Sequence, residues 1–177
     1  MNFTFWFIFF SQIAFWFVLF AGFITRYLFK KQRASSIVLY VAVAIDAVLL
    51  YATALNIKNG TFATIYHGLS AVFIGVALCC GPSLLAWIDN KFKPADQKEL
   101  SPTKTLTGKP LAKYKLKQSV RHLYAFCLGS ILLVLAVLFI DNSHNSKGLT
   151  DVINIWLFII MLDFLYSLTF YFWPKKT

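Results

Sequence analysis

Five long apolar runs, separated by polar segments, dominate the hydrophobic pattern of the chain. They extend over about residues 5–29, 36–56, 62–88, 120–140 and 152–173. A membrane-spanning helix needs about 20 consecutive apolar residues, and each run has that length. Strands of a membrane β-barrel would instead alternate apolar and polar residues over about ten positions. The pattern therefore predicts an all-α membrane protein, a single transmembrane domain over residues 1–177 with five helices in one bundle.

The composition agrees with this fold class. Of the 177 residues, 59% are hydrophobic and 14% are charged, whereas soluble domains carry about 25% charged residues. A water-soluble fold of this length could not bury so much apolar surface, and a disordered chain would be far more polar. The three cysteines form neither a disulfide framework nor a metal-binding spacing. The remaining class is an integral membrane protein.

The basic residues predict the orientation of the helices. Of the 17 lysines and arginines, four lie at or just after the end of the first run, nine lie between the third run and the start of the fourth, and two follow the fifth, which leaves only Lys58 and Lys147. Basic residues near membrane spans stay in the cytoplasm. We therefore predict an external N-terminus, a cytoplasmic C-terminus and a basic cytoplasmic loop over residues 89–119. A bacterial cell membrane is the expected location.

Two carboxylates, Asp46 and Asp163, lie within the predicted spans, close to the membrane midplane. A charge at this depth costs at least about 2.5–3.5 kcal/mol, so we expect both side chains to point into the bundle. One interpretation is a proton- or cation-handling pair that shares one site. The alternative is two separate interhelical hydrogen bonds.

The third run carries further polar and small residues. His67, Ala71, Gly75 and Cys79 recur every four positions, which predicts a close contact between helices. His67 would either cap or hydrogen-bond a neighbour, or serve as a ligand, a proton relay or a catalytic base. Further along the run, Gly81 and Pro82 predict a hinge or kink, because proline removes a helical hydrogen bond.

The basic loop predicts contact with lipid. Lys113, Lys117 and Arg121 would share one face if the fourth helix extended inward, and such clusters bind anionic lipid headgroups. We expect membrane lipids as partners, with a membrane protein or a second copy of the chain as a further partner. No nucleic-acid-binding module is recognisable. We predict no cofactor, no metal and no assigned catalytic residue, because no catalytic or ligand-binding motif occurs.

One stretch of the third run resembles a known group of proteins. The residues concerned are His67-Gly68-Leu69-Ser70-Ala71, followed by Gly75, Gly81, Ser83, Trp87 and Asp89. The stretch is similar to one in uncharacterised small multi-pass membrane proteins of Gram-positive bacteria. The resemblance implies a membrane location and no particular chemistry.

Three functions remain open. The sequence favours a non-catalytic accessory, immunity or assembly partner in the membrane, because it lacks catalytic motifs. The first alternative is a small proton- or cation-coupled transporter or channel that uses Asp46 and Asp163. The second is a membrane-embedded lipid-modifying enzyme that uses His67.

Overall fold

Helices make up most of the part of the chain that the structure describes. The computed structural model describes residues 3–94, 97–100, 102–142 and 144–173, and within these ranges the regular elements are all helical. They are α1 (Phe3–Tyr27), α2 (Gln32–Lys58), α3 (Ile65–Phe92), the one-turn α4 (Pro102–Thr105), α5 (Gly108–Ile140) and α6 (Lys147–Phe172).

Four of these helices, α2, α3, α5 and α6, are long and apolar enough to cross a membrane. The described part of α1 contributes a further apolar helical segment over Ile13–Tyr27. The prediction of an all-α protein with membrane-length helices is confirmed. The number of five spans and the orientation of the chain stay predictions.

The helices are longer than the apolar runs that predict them. α5 begins at Gly108 rather than near residue 120, so residues 108–119 are helical and not part of a loop. Pro110 is compatible with this start, because a proline in the first turn removes no helical hydrogen bond. Leu111 and Ala112 are each only 3% exposed, so burial of an apolar face stabilises this added segment.

The predicted hinge lies within a continuous helix. α3 runs from Ile65 to Phe92 with Pro82 inside it. A Cβ atom added at Gly81 would meet no neighbouring atom within 4 Å. Neither observation measures a bend, and the hinge at Gly81 and Pro82 stays a prediction.

The chain divides into two compact units. The first combines Met1–Ile74 with Ser130–Val152. Within it, the Ser35 hydroxyl donates a hydrogen bond of 2.8 Å to the Gly22 carbonyl, which ties α2 to α1. The rings of Phe15 and Phe73 stack at a centroid distance of 5.6 Å. These contacts hold α1, α2 and the first part of α3 together.

The second unit combines Gly75–Gly129 with Ile153–Thr177. Here α3 approaches α5 so closely that a Cβ atom on Gly75 would lie 2.5 Å from the Ala125 carbonyl oxygen. Trp156 of α6 packs edge-on against Phe126 at 5.4 Å. The predicted close helix contact is therefore confirmed at Gly75. The organisation of the whole chain as one domain stays a prediction.

Candidate functional site

An acid–base pair joins α5 and α6 in the second unit. Nδ1 of His122 lies 3.0 Å from Oδ2 of Asp163. The two side chains are 34% and 29% exposed, so the pair is neither sealed in the protein nor fully open. Ionisable groups within membrane spans usually face the protein interior or a cavity and find a partner. Asp163 has such a partner in His122.

Two buried serines stabilise the helices beside this pair. The hydroxyls of Ser119 on α5 and Ser167 on α6 lie 2.6 Å apart. When one hydroxyl donates to the other, the second hydroxyl can donate to a main-chain carbonyl: that of Asp163 lies 3.3 Å from Ser119 Oγ, and that of Lys115 lies 3.4 Å from Ser167 Oγ. These bonds fix the position of α6 against α5, and therefore that of the Asp163 carboxyl group relative to His122.

Arg121 connects the same region to α3. Its guanidinium Nη1 donates a hydrogen bond to the Ser83 hydroxyl. Arg121 therefore does not present the same exposed charge as Lys113 and Lys117, which project to the outside of α5. The predicted lipid-binding set thus divides into two exposed lysines and one half-buried arginine that contacts the protein.

Asp46 lies in the first unit, on α2. The residue is 1% exposed, so the prediction that it points into the protein is confirmed. The Ser70 side chain of α3 lies beside the Asp46 carboxyl group. The Oδ1 atom has no hydrogen-bond partner among the described residues. Because Asp46 and Asp163 belong to different units, a site shared by the two carboxylates stays a prediction.

His67 interacts with the residue that precedes α3. Its Nδ1 atom accepts a hydrogen bond of 2.9 Å from the backbone N–H of Thr64, and the Thr64 hydroxyl lies at the same distance. A side chain at the third helical position that reaches back to the N-cap amide forms half of a capping box. His67 therefore has a structural contact at the start of α3.

The segment after α3 is held by a small polar cluster. Asn90 accepts a hydrogen bond from the backbone N–H of Glu99 at 2.9 Å and donates one to its carbonyl at 2.7 Å. Lys93 Nζ lies 2.7 Å from the Glu99 carboxylate. The hydrogen bond from Lys93 and its positive charge hold the pKa of Glu99 below the usual range.

Comparison with known proteins gives one informative relative. The uncharacterized membrane protein YmcC of Bacillus subtilis (strain 168) is 36% identical to this chain, over 99% of the chain and 95% of that protein. The chain belongs to the YmcC family. The resemblance to uncharacterised membrane proteins of Gram-positive bacteria is thereby confirmed. No family model and no solved structure matches the chain.

The most informative contact of this YmcC relative was not predicted from its sequence. The apolar runs put the start of the fourth span at about residue 120, which leaves His122 at a helix end. The polar spacing Ser119–His122 on one helix and Asp163–Ser167 on another was the available signal. Each pair occupies one face of its helix, which is how two polar pairs on facing helices meet.

Proposed function

We propose that this YmcC relative exchanges protons for monovalent cations across the bacterial cell membrane. The observation that carries the proposal is the contact between His122 and Asp163. It supports transport more directly than a purely accessory role, which the sequence alone favours, because a partly exposed carboxylate is within reach of an entering ion. The N-terminus outside and the C-terminus in the cytoplasm complete the proposed arrangement.

Each group of the pair has a distinct part in this proposal. The Asp163 carboxylate binds either a proton or a monovalent cation, since both neutralise its charge within the membrane. When neither is bound, the Nδ1–H group of His122 donates to the carboxylate and supplies the missing electrostatic partner. Ser119 and Ser167 hold the two helices in register, so that the imidazole does not need to move far to make way for a cation.

Asp46 supports the same interpretation. The carboxyl group is buried beside Ser70 of α3, and its Oδ1 atom has no hydrogen-bond partner among the described residues. An unsatisfied buried polar atom costs about 1–3 kcal/mol, and such atoms call for a functional or structural reason. A second proton-binding carboxyl group in the membrane supplies that reason.

Purified protein in sealed vesicles tests the proposal. A pH-sensitive dye reports an imposed proton gradient, and addition of Na⁺, K⁺ or Li⁺ to the outside should release protons from the vesicle interior. We expect Asp163→Asn to abolish this release, because the amide binds neither a proton nor a cation as a carboxylate does. Asp46→Asn should also reduce it strongly, because the amide does not bind a proton as a carboxyl group does.

Asp141→Asn is the matched control, because this exposed carboxylate follows α5 and lies outside the helices. It should leave cation-driven proton release unchanged. Thermal unfolding of each variant shows whether the fold is intact. Cation exchange is refuted if wild-type vesicles respond to none of the three cations, or if Asp163→Asn vesicles respond as wild type does.

A second candidate is a non-catalytic accessory, immunity or assembly partner. The bonds between Ser119 and Ser167 and between Arg121 and Ser83 favour it, because they use polar groups only to join helices. In that case, a stoichiometric membrane protein should remain bound after gentle detergent extraction. Lys113 and Lys117 would contact anionic headgroups in either case. An enzymatic role for His67 is not proposed, because its capping contact with Thr64 accounts for its position.

A further inference from the structure

A groove of about 590 Å³ opens in the first unit, where α3 and α6 begin. Its walls include Phe62 and Tyr66 near the start of α3, and His144, Lys147 and Asp151 near the start of α6. Both helices are long and apolar enough to cross a membrane, and the first turn of a spanning helix lies where the hydrocarbon core meets the headgroup layer. The volume is typical of a small-molecule site.

The walls of the groove are fixed by backbone contacts. The Ala63 N–H donates a hydrogen bond of 2.7 Å to the Asn145 carbonyl, which joins the segments that precede the two helices. Gly148 packs so tightly on the Ala63 carbonyl that a Cβ atom there would collide with it. The ring of His144 contacts Phe62 edge-on at 5.5 Å. The shape of the groove therefore does not depend on a ligand.

Two opposite charges line this groove. Lys147 and Asp151 are four residues apart on α6, which places their Cβ atoms about 6 Å apart on one helix face. Neither side chain forms an ion pair or hydrogen bond within the described ranges of the chain. Lys147 is exposed and Asp151 is half-buried. Phe62 and Tyr66 are 62% and 78% exposed, so apolar surface adjoins both charges.

We infer that this groove binds the headgroup of a zwitterionic phospholipid, phosphatidylethanolamine. The phosphate would lie against the Lys147 ammonium and the ethanolamine ammonium against the Asp151 carboxylate. A primary ammonium donates charge-assisted hydrogen bonds to a carboxylate, whereas the choline group has no N–H. An anionic headgroup such as phosphatidylglycerol would satisfy Lys147 but leave Asp151 without a cation. This inference does not depend on cation exchange.

The acyl chains have an apolar path away from the groove. Ile65 on the groove wall is 46% exposed and would contact hydrocarbon. Tyr66 and Phe62 would contact the glycerol region, where amphipathic aromatic rings concentrate. A complete lipid, rather than a soluble phosphate ester, therefore fits the chemistry from the charged rim to the helix surface.

Lipid retention in nanodiscs tests the inference. The full chain is placed in bilayers with equal amounts of phosphatidylethanolamine, phosphatidylcholine and phosphatidylglycerol, and native mass spectrometry then counts the lipids that stay bound. Phosphatidylethanolamine should be enriched. Lys147→Gln and Asp151→Asn should each lower its retention about fivefold, the effect expected of one charge near a membrane surface.

Lys58→Gln and Asp141→Asn are matched controls, since they remove the same charges outside the groove, and each should retain the wild-type lipid. Thermal unfolding should be the same for all four variants. The inference is wrong if the three lipids bind equally, if phosphatidylglycerol is preferred, or if the groove variants retain phosphatidylethanolamine as the controls do. Displacement of the lipid by an equal concentration of soluble phosphoethanolamine would also overturn it.

Discussion

Substitution of Gly75 tests the helix packing of the second unit. A Cβ atom at this position would lie 2.5 Å from the Ala125 carbonyl oxygen and 3.2 Å from the Gly129 nitrogen. Both are backbone atoms of α5, so relief of the contact requires α3 to move away from that helix. The ring of Trp156, at 3.1 Å, would have to move as well. Even Gly75→Ala should therefore be destabilising.

Two opposing effects set the magnitude. Overpacking a close contact costs about 1–3 kcal/mol, whereas alanine is a better helix former than glycine by up to about 1 kcal/mol. We expect Gly75→Ala to lower the free energy of unfolding by about 0–2 kcal/mol. Gly75→Leu should lower it by at least about 2 kcal/mol, because it adds three more carbon atoms against the same backbone.

Thermal unfolding in detergent, followed by tryptophan fluorescence, measures both variants. For soluble proteins of this size, 1 kcal/mol corresponds to about 2–4 °C in Tm, so Gly75→Leu should lower the Tm by about 4 °C or more. Ala86→Leu is the control. Ala86 is exposed on the same helix, so this substitution should leave the Tm nearly unchanged. If Gly75→Leu has the same Tm as the wild type, the close contact between α3 and α5 does not exist.

Two further predictions concern the start of α3 and the orientation of the chain. His67→Ala should lower the free energy of unfolding by about 1 kcal/mol through loss of the contact with Thr64, whereas His67→Gln should largely retain it, because glutamine is a natural capping-box residue. Equal Tm values for the two variants would contradict the capping role. In a chain whose native cysteines are replaced, an impermeant reagent on intact cells should label a cysteine at position 58 but not at position 104. The reverse result would overturn the proposed topology.

Hydrophobic pattern alone predicted the helical class and the approximate position of each long helix. Such runs are informative because apolar length is what the bilayer requires of a helix. Gly75 was also correctly predicted to lie in a contact between helices, because the size of a side chain follows directly from the residue type. The pattern failed at helix ends, where polar residues continue a helix without any hydropathy signal. Residues 108–119 of α5 are the clearest case.

The misplaced ends explain why the acid–base pair was missed. With α6 assumed to begin near residue 152, Asp163 appears close to the midplane, far from His122. In the structure α6 begins at Lys147, so Asp163 follows the start of its helix by 16 residues, or about 24 Å. His122 precedes the end of α5 at Ile140 by 18 residues, or about 27 Å. The two groups therefore reach a similar depth on neighbouring helices of the chain.

The polar groups that join α5 and α6 differ in charge and in exposure. Apolar side chains provide little net drive for helices to associate in lipid, so polar contacts contribute to association. The Ser119–Ser167 pair serves that purpose: both residues are at most 3% exposed, and neither carries charge.

His122 and Asp163 are ionisable and about one-third exposed. A structural bond at that position would be better made by neutral side chains, because these avoid the cost of placing charge in the membrane. One turn away, two serines are sufficient to join the same helices. The presence of an acid and a base at the His122–Asp163 contact is therefore the reason to test this pair first for proton exchange.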